Sequence, residues 1–344
     1  MSDEMQRYTA FWPRLILGTI LSAAILSPNF LQRSLSATYG FLYQSSFYRF
    51  SGFETFETVL CYIILETLYI DKLKKNPDLR IDKRGSALRE SESSKPKLPR
   101  MRRPSKRMTE MFIYVAPLLA MDFVMIKKFA GVPVADIRES GGYPPINTDQ
   151  TDFIKPTFLL PTIHNFRLDS PLQLQRALPP DPPTSRRLAL ELLAAFFIYD
   201  TLFFLIHVAF HRIKPLARLH EPHHAHAEIH PQITNRLSIT ERLSLVLLAN
   251  FSLNIIGSHV LTRTLFIPLF VYLLIEIHSG LDLQWGYDKI MPFGMGAGSK
   301  VHAVHHRTGE GAFAPFFCWW DMGYEWLMSR QASAQSRMLA DVST

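Results

Sequence analysis

With 344 residues, 47% of them hydrophobic, and a net charge of +7, the chain is long enough for one large domain or two small ones, with an apolar fraction ordinary for globular proteins. Its two cysteines, Cys61 and Cys318, exclude a disulfide framework and a metal site of four thiolates. The first residues, Met1 to Trp12, carry acids and no basic stretch followed by a cleavable small-residue site, so a secretory signal peptide is not expected.

The apolar residues are gathered into long runs rather than dispersed. In chain order these are Leu15 to Leu26, Val59 to Ile70, Met111 to Ile126, Leu188 to Ile206, Leu243 to Ile256 and Leu265 to Ile277. Most fall slightly short of the roughly 20 residues that cross a bilayer. Several carry an acid, as at Glu66, Asp122, Glu191 and Asp200. The pattern predicts an all-α membrane bundle with four to six embedded helices; buried core helices of a soluble bundle are the alternative.

Between Asp71 and Met108 the 14 Lys and Arg outnumber the 5 acids by nine charges, more than the excess of the whole chain. The segment lacks interleaved aromatics and lies between apolar runs. A cytosolic loop beside anionic headgroups therefore suits it better than a nucleic-acid surface. Its Ser, Pro and Lys content from Ser86 to Arg107 predicts poor order. Counting crossings from this loop puts the Pro-rich stretch Gly131 to Arg187 on the far side. His207 to His230, and everything from His278 onward, then return to the cytosol. The expected division is 1–70, N-terminal membrane helices; 71–108, basic loop; 109–187, a membrane helix with the Pro-rich connection; 188–330, the domain that carries twelve of the 13 histidines; and 331–344, a tail.

Nine of the 13 histidines fall at spacings that bring imidazoles together. His207 and His211 in HVAFH are four apart and share a helical face. His220, His223 and His224 in HEPHH stand at i, i+3 and i+4, and His302, His305 and His306 in HAVHH repeat that spacing. His278, in EIHSGLD, ends the last apolar run. A zinc site needs three or four ligands, whereas nine imidazoles suffice for two six-coordinate ions with open positions. The count argues for two metals, and imidazole suits iron, zinc, copper and nickel alike. Of the other histidines, His226 and His230 read as loop or supporting residues, His164 as structural, and His259 lies between the last two runs.

HEPHH also satisfies HExxH, in which Glu221 would be the general base of a zinc metallohydrolase. Pro222 would then lie inside the helix that motif needs, at a cost of about 3 kcal/mol outside the first turn. A carboxylate-type di-iron bundle would need two ExxH pairs, and only Glu221 to His224 fits. A non-catalytic membrane metal-binding protein is a third reading, although its ionisable residues would lie along a path inside the spans rather than at their ends.

At these residues the chain resembles the fatty acid hydroxylase and sterol desaturase superfamily of membrane proteins, within it the C-4 methylsterol oxidase and cholesterol 25-hydroxylase types. The resemblance runs from Asp200 to about Trp326 and rests on DTLFFLIHVAFHRIKPLARLHEPHH, IEIHSGLD, MPFG, HAVHH and FAPFFCWWD in that order. It implies metal-ligand roles for His207, His211, His220, His223, His224, His278, His302, His305 and His306. It further implies two iron ions, molecular oxygen, and electrons from NAD(P)H through a reductase and a small b-type haem protein. An endoplasmic reticulum location with the active site facing the cytosol follows from the same likeness. The sequence departs from the pattern at Ser238 and Ile239, where sterol-oxidising relatives carry His-Pro before a glutamate that Glu241 retains, and at Val301, which replaces a histidine of the last cluster. Both departures bear on the substrate more than on the metals, and a terpenoid or other hydrophobic secondary metabolite joins sterols and fatty acyl chains as a candidate.

Two acids are expected to support the site. Asp200 precedes His207 by two helical turns and is expected to accept the free N–H of a ligating imidazole. Asp282 follows His278 by four residues and shares its face if the helix continues through Gly280.

Overall fold

A computed structural model of the chain describes residues 3–81, 101, 104–143, 162–163, 169–225 and 228–342. Most of the basic loop, His164 and His226 lie outside the described residues. The principal helices are α1 (Asp3–Leu26), α2 (Pro28–Gln44), α3 (Phe53–Lys75), α4 (Pro104–Val124), α5 (Ser185–Arg212), α6 (Lys214–His224), α7 (Ile239–Ile255), α8 (Val260–Ile277), α9 (Gly298–Thr308) and α10 (Trp319–Val342). The strands are two residues each, β1 (Met125–Ile126) and β2 (Thr162–Ile163), paired antiparallel with Met125 opposite Ile163. The fold is an all-α membrane fold.

Among the described residues, α5 and α8 are long and apolar enough to cross a membrane. A third span is present if α1 and α2, bent by 93° at their junction, count as one. Pro28 begins α2 and cannot continue the hydrogen-bond ladder of α1, which accounts for the break. The other apolar runs fall short for different reasons: α7 has 17 residues, and α3 carries Glu54, Glu57, Glu66 and Asp71. Leu190, Leu193, Phe197 and Leu205 of α5, and Leu269 of α8, point outward and remain exposed, as lipid-facing side chains do.

Caps fix the helix starts. Thr184 accepts a hydrogen bond from Arg187 N at the start of α5, and Ser238 accepts one from Glu241 N at the start of α7. His259 caps α8 through its ring: Nδ1 accepts from Leu261 N at 3.1 Å, while its backbone N–H donates to Glu191 on α5 at 2.9 Å. This histidine therefore serves the junction of α5 and α8. Beside the histidines, the core is built from Tyr199 of α5, Leu248 of α7 and Phe316, with Phe204, Phe313 and Ala314 adjoining.

Candidate metal centre

Four segments deliver the nine histidines. The helix α5 runs unbroken through His207 and His211, α6 carries His220, His223 and His224, His278 closes α8, and α9 carries His302, His305 and His306. Pro222 lies inside α6, in its last turn, so the helix forms despite it. Glu221 beside it is exposed.

The imidazoles converge as two groups. His207, His211, His220, His224 and His305 bring one ring nitrogen each within 4.8 Å of one another, and His223, His278, His302 and His306 do the same. In the first group the Nε2 of His207 lies 2.9 Å from that of His220, 3.3 Å from that of His211 and 3.2 Å from that of His305. In the second, His278 Nε2 is 3.2 Å from His223 Nε2 and 2.9 Å from His302 Nε2. The groups adjoin, with the rings of His224 and His306 stacked at 4.6 Å.

The opposite ring nitrogens determine the chemistry. His207 Nδ1 donates to Phe313 O at 2.7 Å, His278 Nδ1 to Leu274 O at 2.7 Å and His305 Nδ1 to Gly311 O at 2.6 Å. His223 Nδ1 donates to Arg236 O at 3.3 Å, and His220 Nδ1 to Glu241 Oε1 at 2.6 Å. A carbonyl only accepts, so in His207, His223, His278 and His305 the proton of the neutral ring sits on Nδ1 and the Nε2 lone pair faces the neighbouring imidazoles. Lone pairs at about 3 Å repel unless a cation lies among them. Adjacent ligands on an ion with metal–nitrogen bonds of about 2.1 Å have this spacing. The residues thus fit one metal ion per group. Burial, and after it the neighbouring imidazoles, hold His220, His302 and His305 well below the ordinary histidine pKa. The rings are therefore in the neutral form that binds metal.

Asp200 and Asp282 lie elsewhere than expected. Seven residues of helix separate Asp200 from His207 by about 10 Å, beyond a carboxylate's reach. Asp200 Oδ1 instead accepts from the backbone N–H of Phe316 at 3.0 Å and Phe317 at 3.3 Å. Asp321 accepts from the N–H groups of Phe313 at 2.7 Å and Ala314 at 3.0 Å. Together these two acids clamp the segment whose Phe313 carbonyl holds His207, so Asp200 acts on that ligand only through backbone. Asp282 is off the face of His278 because α8 stops at Ile277 and Gly280 takes a left-handed φ of +69°. Its carboxylate pairs with Lys289 and Lys300. Sequence reasoning assigned no role to Glu241 at the metals, although Ser238-x-x-Glu241 is a helix-start signature. The serine caps α7, but the glutamate turns to His220. Asp321 closes the FAPFFCWWD motif but was given no role there, and the carbonyls that hold the other rings carry no signal in the sequence.

A cavity of about 900 Å3 opens from the histidines, with His207, His220, His223, His278 and His302 in its wall. The wall continues away from them over mostly apolar residues, among them Phe203, Phe266, Phe270 and Leu274.

Residues 192–325 match the fatty acid hydroxylase family. A cholesterol 25-hydroxylase-like protein of Danio rerio is 32% identical over 142 residues, covering 41% of this chain and 57% of that protein. The cholesterol 25-hydroxylase of Rattus norvegicus is 31% identical over 145 residues, 42% of this chain and 49% of that protein. A methylsterol monooxygenase of Aspergillus fumigatus is 29% identical over 163 residues, 45% of this chain and 51% of that protein. The chain spans about half the length of the curated relatives it matches. No solved structure matches the chain. The histidine pattern, the membrane-length helices and these relatives agree with the match of residues 192–325 to the fatty acid hydroxylase family, in a membrane protein.

Proposed function

We propose that the chain is an oxygen-dependent membrane oxidoreductase whose nine histidines hold two iron ions and which hydroxylates, or desaturates, a sterol, fatty-acyl or terpenoid-like substrate. The observation that carries this reading is the convergence of Nε2 lone pairs from two histidine groups on the wall of a deep, mostly apolar cavity. Iron bound there supplies the reduction of O2 needed to oxidise an unactivated C–H bond. The chain's own residues do the rest. The backbone carbonyls of Phe313, Leu274 and Gly311 and the carboxylate of Glu241 fix each ring's tautomer and direction. Phe203, Phe270 and Leu274 exclude water and hold hydrocarbon against the histidines. The two electrons per turnover come from NAD(P)H through a reductase and a small b-type haem protein. The enzyme resides in the endoplasmic reticulum membrane with the histidines on the cytosolic side, and residues 188–330 form its catalytic domain.

The zinc hydrolase alternative needs Glu221 as a base at the metal, and Glu221 is exposed on α6 instead. The test is metal analysis of protein purified under reducing, iron-replete conditions, combined with oxygen consumption on a panel of sterols, fatty acids and terpenoids. Close to two irons per chain are expected, with fewer in His224→Ala or His305→Ala. A single metal that tolerates both substitutions overturns the dinuclear reading.

A further inference from the structure

The cavity has a second polar end, far from the histidines. There Arg263 of α8 forms a two-pronged pair with Glu54 of α3, Nε to Oε1 at 3.1 Å and Nη2 to Oε2 at 2.9 Å. It also donates to Asn254 Oδ1 at 3.0 Å and Asn250 Oδ1 at 2.6 Å. Arg176 binds Glu54 from outside the cavity at 2.7 Å. Glu54, Arg263, Asn250 and Asn254 all line the cavity.

Two helices measure the distance between the ends. On α8, Arg263 precedes His278 by 15 residues, about 22 Å at the helical rise. On α7, Glu241, the partner of His220, precedes Asn254, the partner of Arg263, by 13 residues, about 20 Å. The two rulers agree, and mostly apolar wall lies between.

We infer that this far end anchors the polar head of the substrate, and that the head is an uncharged hydroxyl, so that oxidation falls at the opposite, hydrocarbon end of a rigid or extended amphipath. The inference rests on the oxygenase reading for its chemistry, but not for its binding. A carboxylate head is disfavoured because the guanidinium fork of Arg263 is already occupied by Glu54, and Lys127, which with Lys128 also lines the cavity, is paired with Asp122. Asn250 remains suited to a hydroxyl. Its amide oxygen is taken by Arg263 and one amide N–H by Val246 O at 3.0 Å, which leaves the second N–H of this cavity-lining residue for a further acceptor. A lipid oxidised beside its own hydroxyl would instead place that hydroxyl at the histidines and leave the far end with no polar group to meet.

The full chain in lipid nanodiscs is tested in two ways. Without oxygen or electron donor, equilibrium binding compares cholesterol with 5-cholestene, which lacks the hydroxyl, and octadecanol with stearate. The wild-type protein is expected to bind each alcohol about tenfold more tightly than its counterpart, and Asn250→Leu to bring the cholesterol preference close to one without weakening 5-cholestene. Equal affinities in the wild type, binding of neither sterol, or tighter binding of stearate overturns the anchor even if Asn250→Leu proves unfolded. With oxygen and donor present, mass spectrometry locates the new oxygen on the side chain of cholesterol; oxygen on the ring carbons beside the hydroxyl overturns the assignment. A retained alcohol preference with no product from any substrate supports the anchor and counts against the oxygenase reading.

Discussion

Glu241 Oε1 accepts the Nδ1–H of His220 at 2.6 Å, and both side chains are buried. A carboxylate in that position fixes the ring and makes Nε2 a stronger ligand, and removing such partners costs roughly 10 to 100-fold in metal affinity. Glu241→Ala is therefore expected to weaken iron binding by roughly that factor, measured by competition with a chelator, and Glu241→Gln, which keeps an acceptor, by less. Glu221 gives the opposite expectation. Its side chain is exposed, so Glu221→Gln should retain most oxygen-dependent activity. Loss of all activity in that variant at full metal content would instead identify the hydrolase base.

Local breaks in the helices place the ligands. The helix α8 has to stop for His278 to turn toward His223 and His302, and Gly280 allows the reversal. Its φ of +69° favours glycine, and a Cβ there would stand 2.4 Å from Ile229 O. Gly280→Ala should lower stability by more than about 1 kcal/mol in denaturant unfolding and reduce metal content, because both the backbone and the contact must shift. The segment 313–317 is set by Asp200 and Asp321 from two different helices. Asp200→Ala leaves the buried N–H of Phe316 unsatisfied, at about 1 to 3 kcal/mol, and the part-buried N–H of Phe317 at less, and should lower both thermal stability and iron retention. In Asp200→Asn one amide oxygen can still accept both bonds, so that variant should resemble the wild type. Equal losses in the two would show that the charge, rather than the acceptor, matters.

For the molecule as a whole, the site exists only where α5, α6, the end of α8 and α9 meet, and the cavity depends on α3, α4 and α7 closing over it. Metal holding and substrate holding are therefore separable. Val115 of α4 lines the cavity and is not one of the histidines' partners. Val115→Trp should raise KM or weaken sterol binding about tenfold through overpacking while leaving the iron content unchanged. A parallel loss of iron would mean that the cavity wall and the metal centre form one cooperative unit.

The nine histidines and their grouping by helix were legible in the sequence, because i, i+3 and i+4 spacings fix which side chains share a face wherever a helix forms. So were the apolar runs, and HxxxH at His207 and His211 lies on one helix as its spacing requires. The spacings did not show which histidines share a group. His223 and His224 are neighbours in sequence yet belong to different groups, since successive residues of a helix point about 100° apart. That Asp200 serves backbone rather than imidazole, that Asp282 pairs with two lysines, and that Glu241 reaches His220 across 21 residues came from the packing of the chain. Each of these depends on where a helix ends or on which segments cross, and hydrogen bonds to backbone carbonyls leave no trace in residue identity. The cavity's far polar end has the same origin, for Glu54 and Arg263 stand 209 residues apart and meet only because α3 packs along α8.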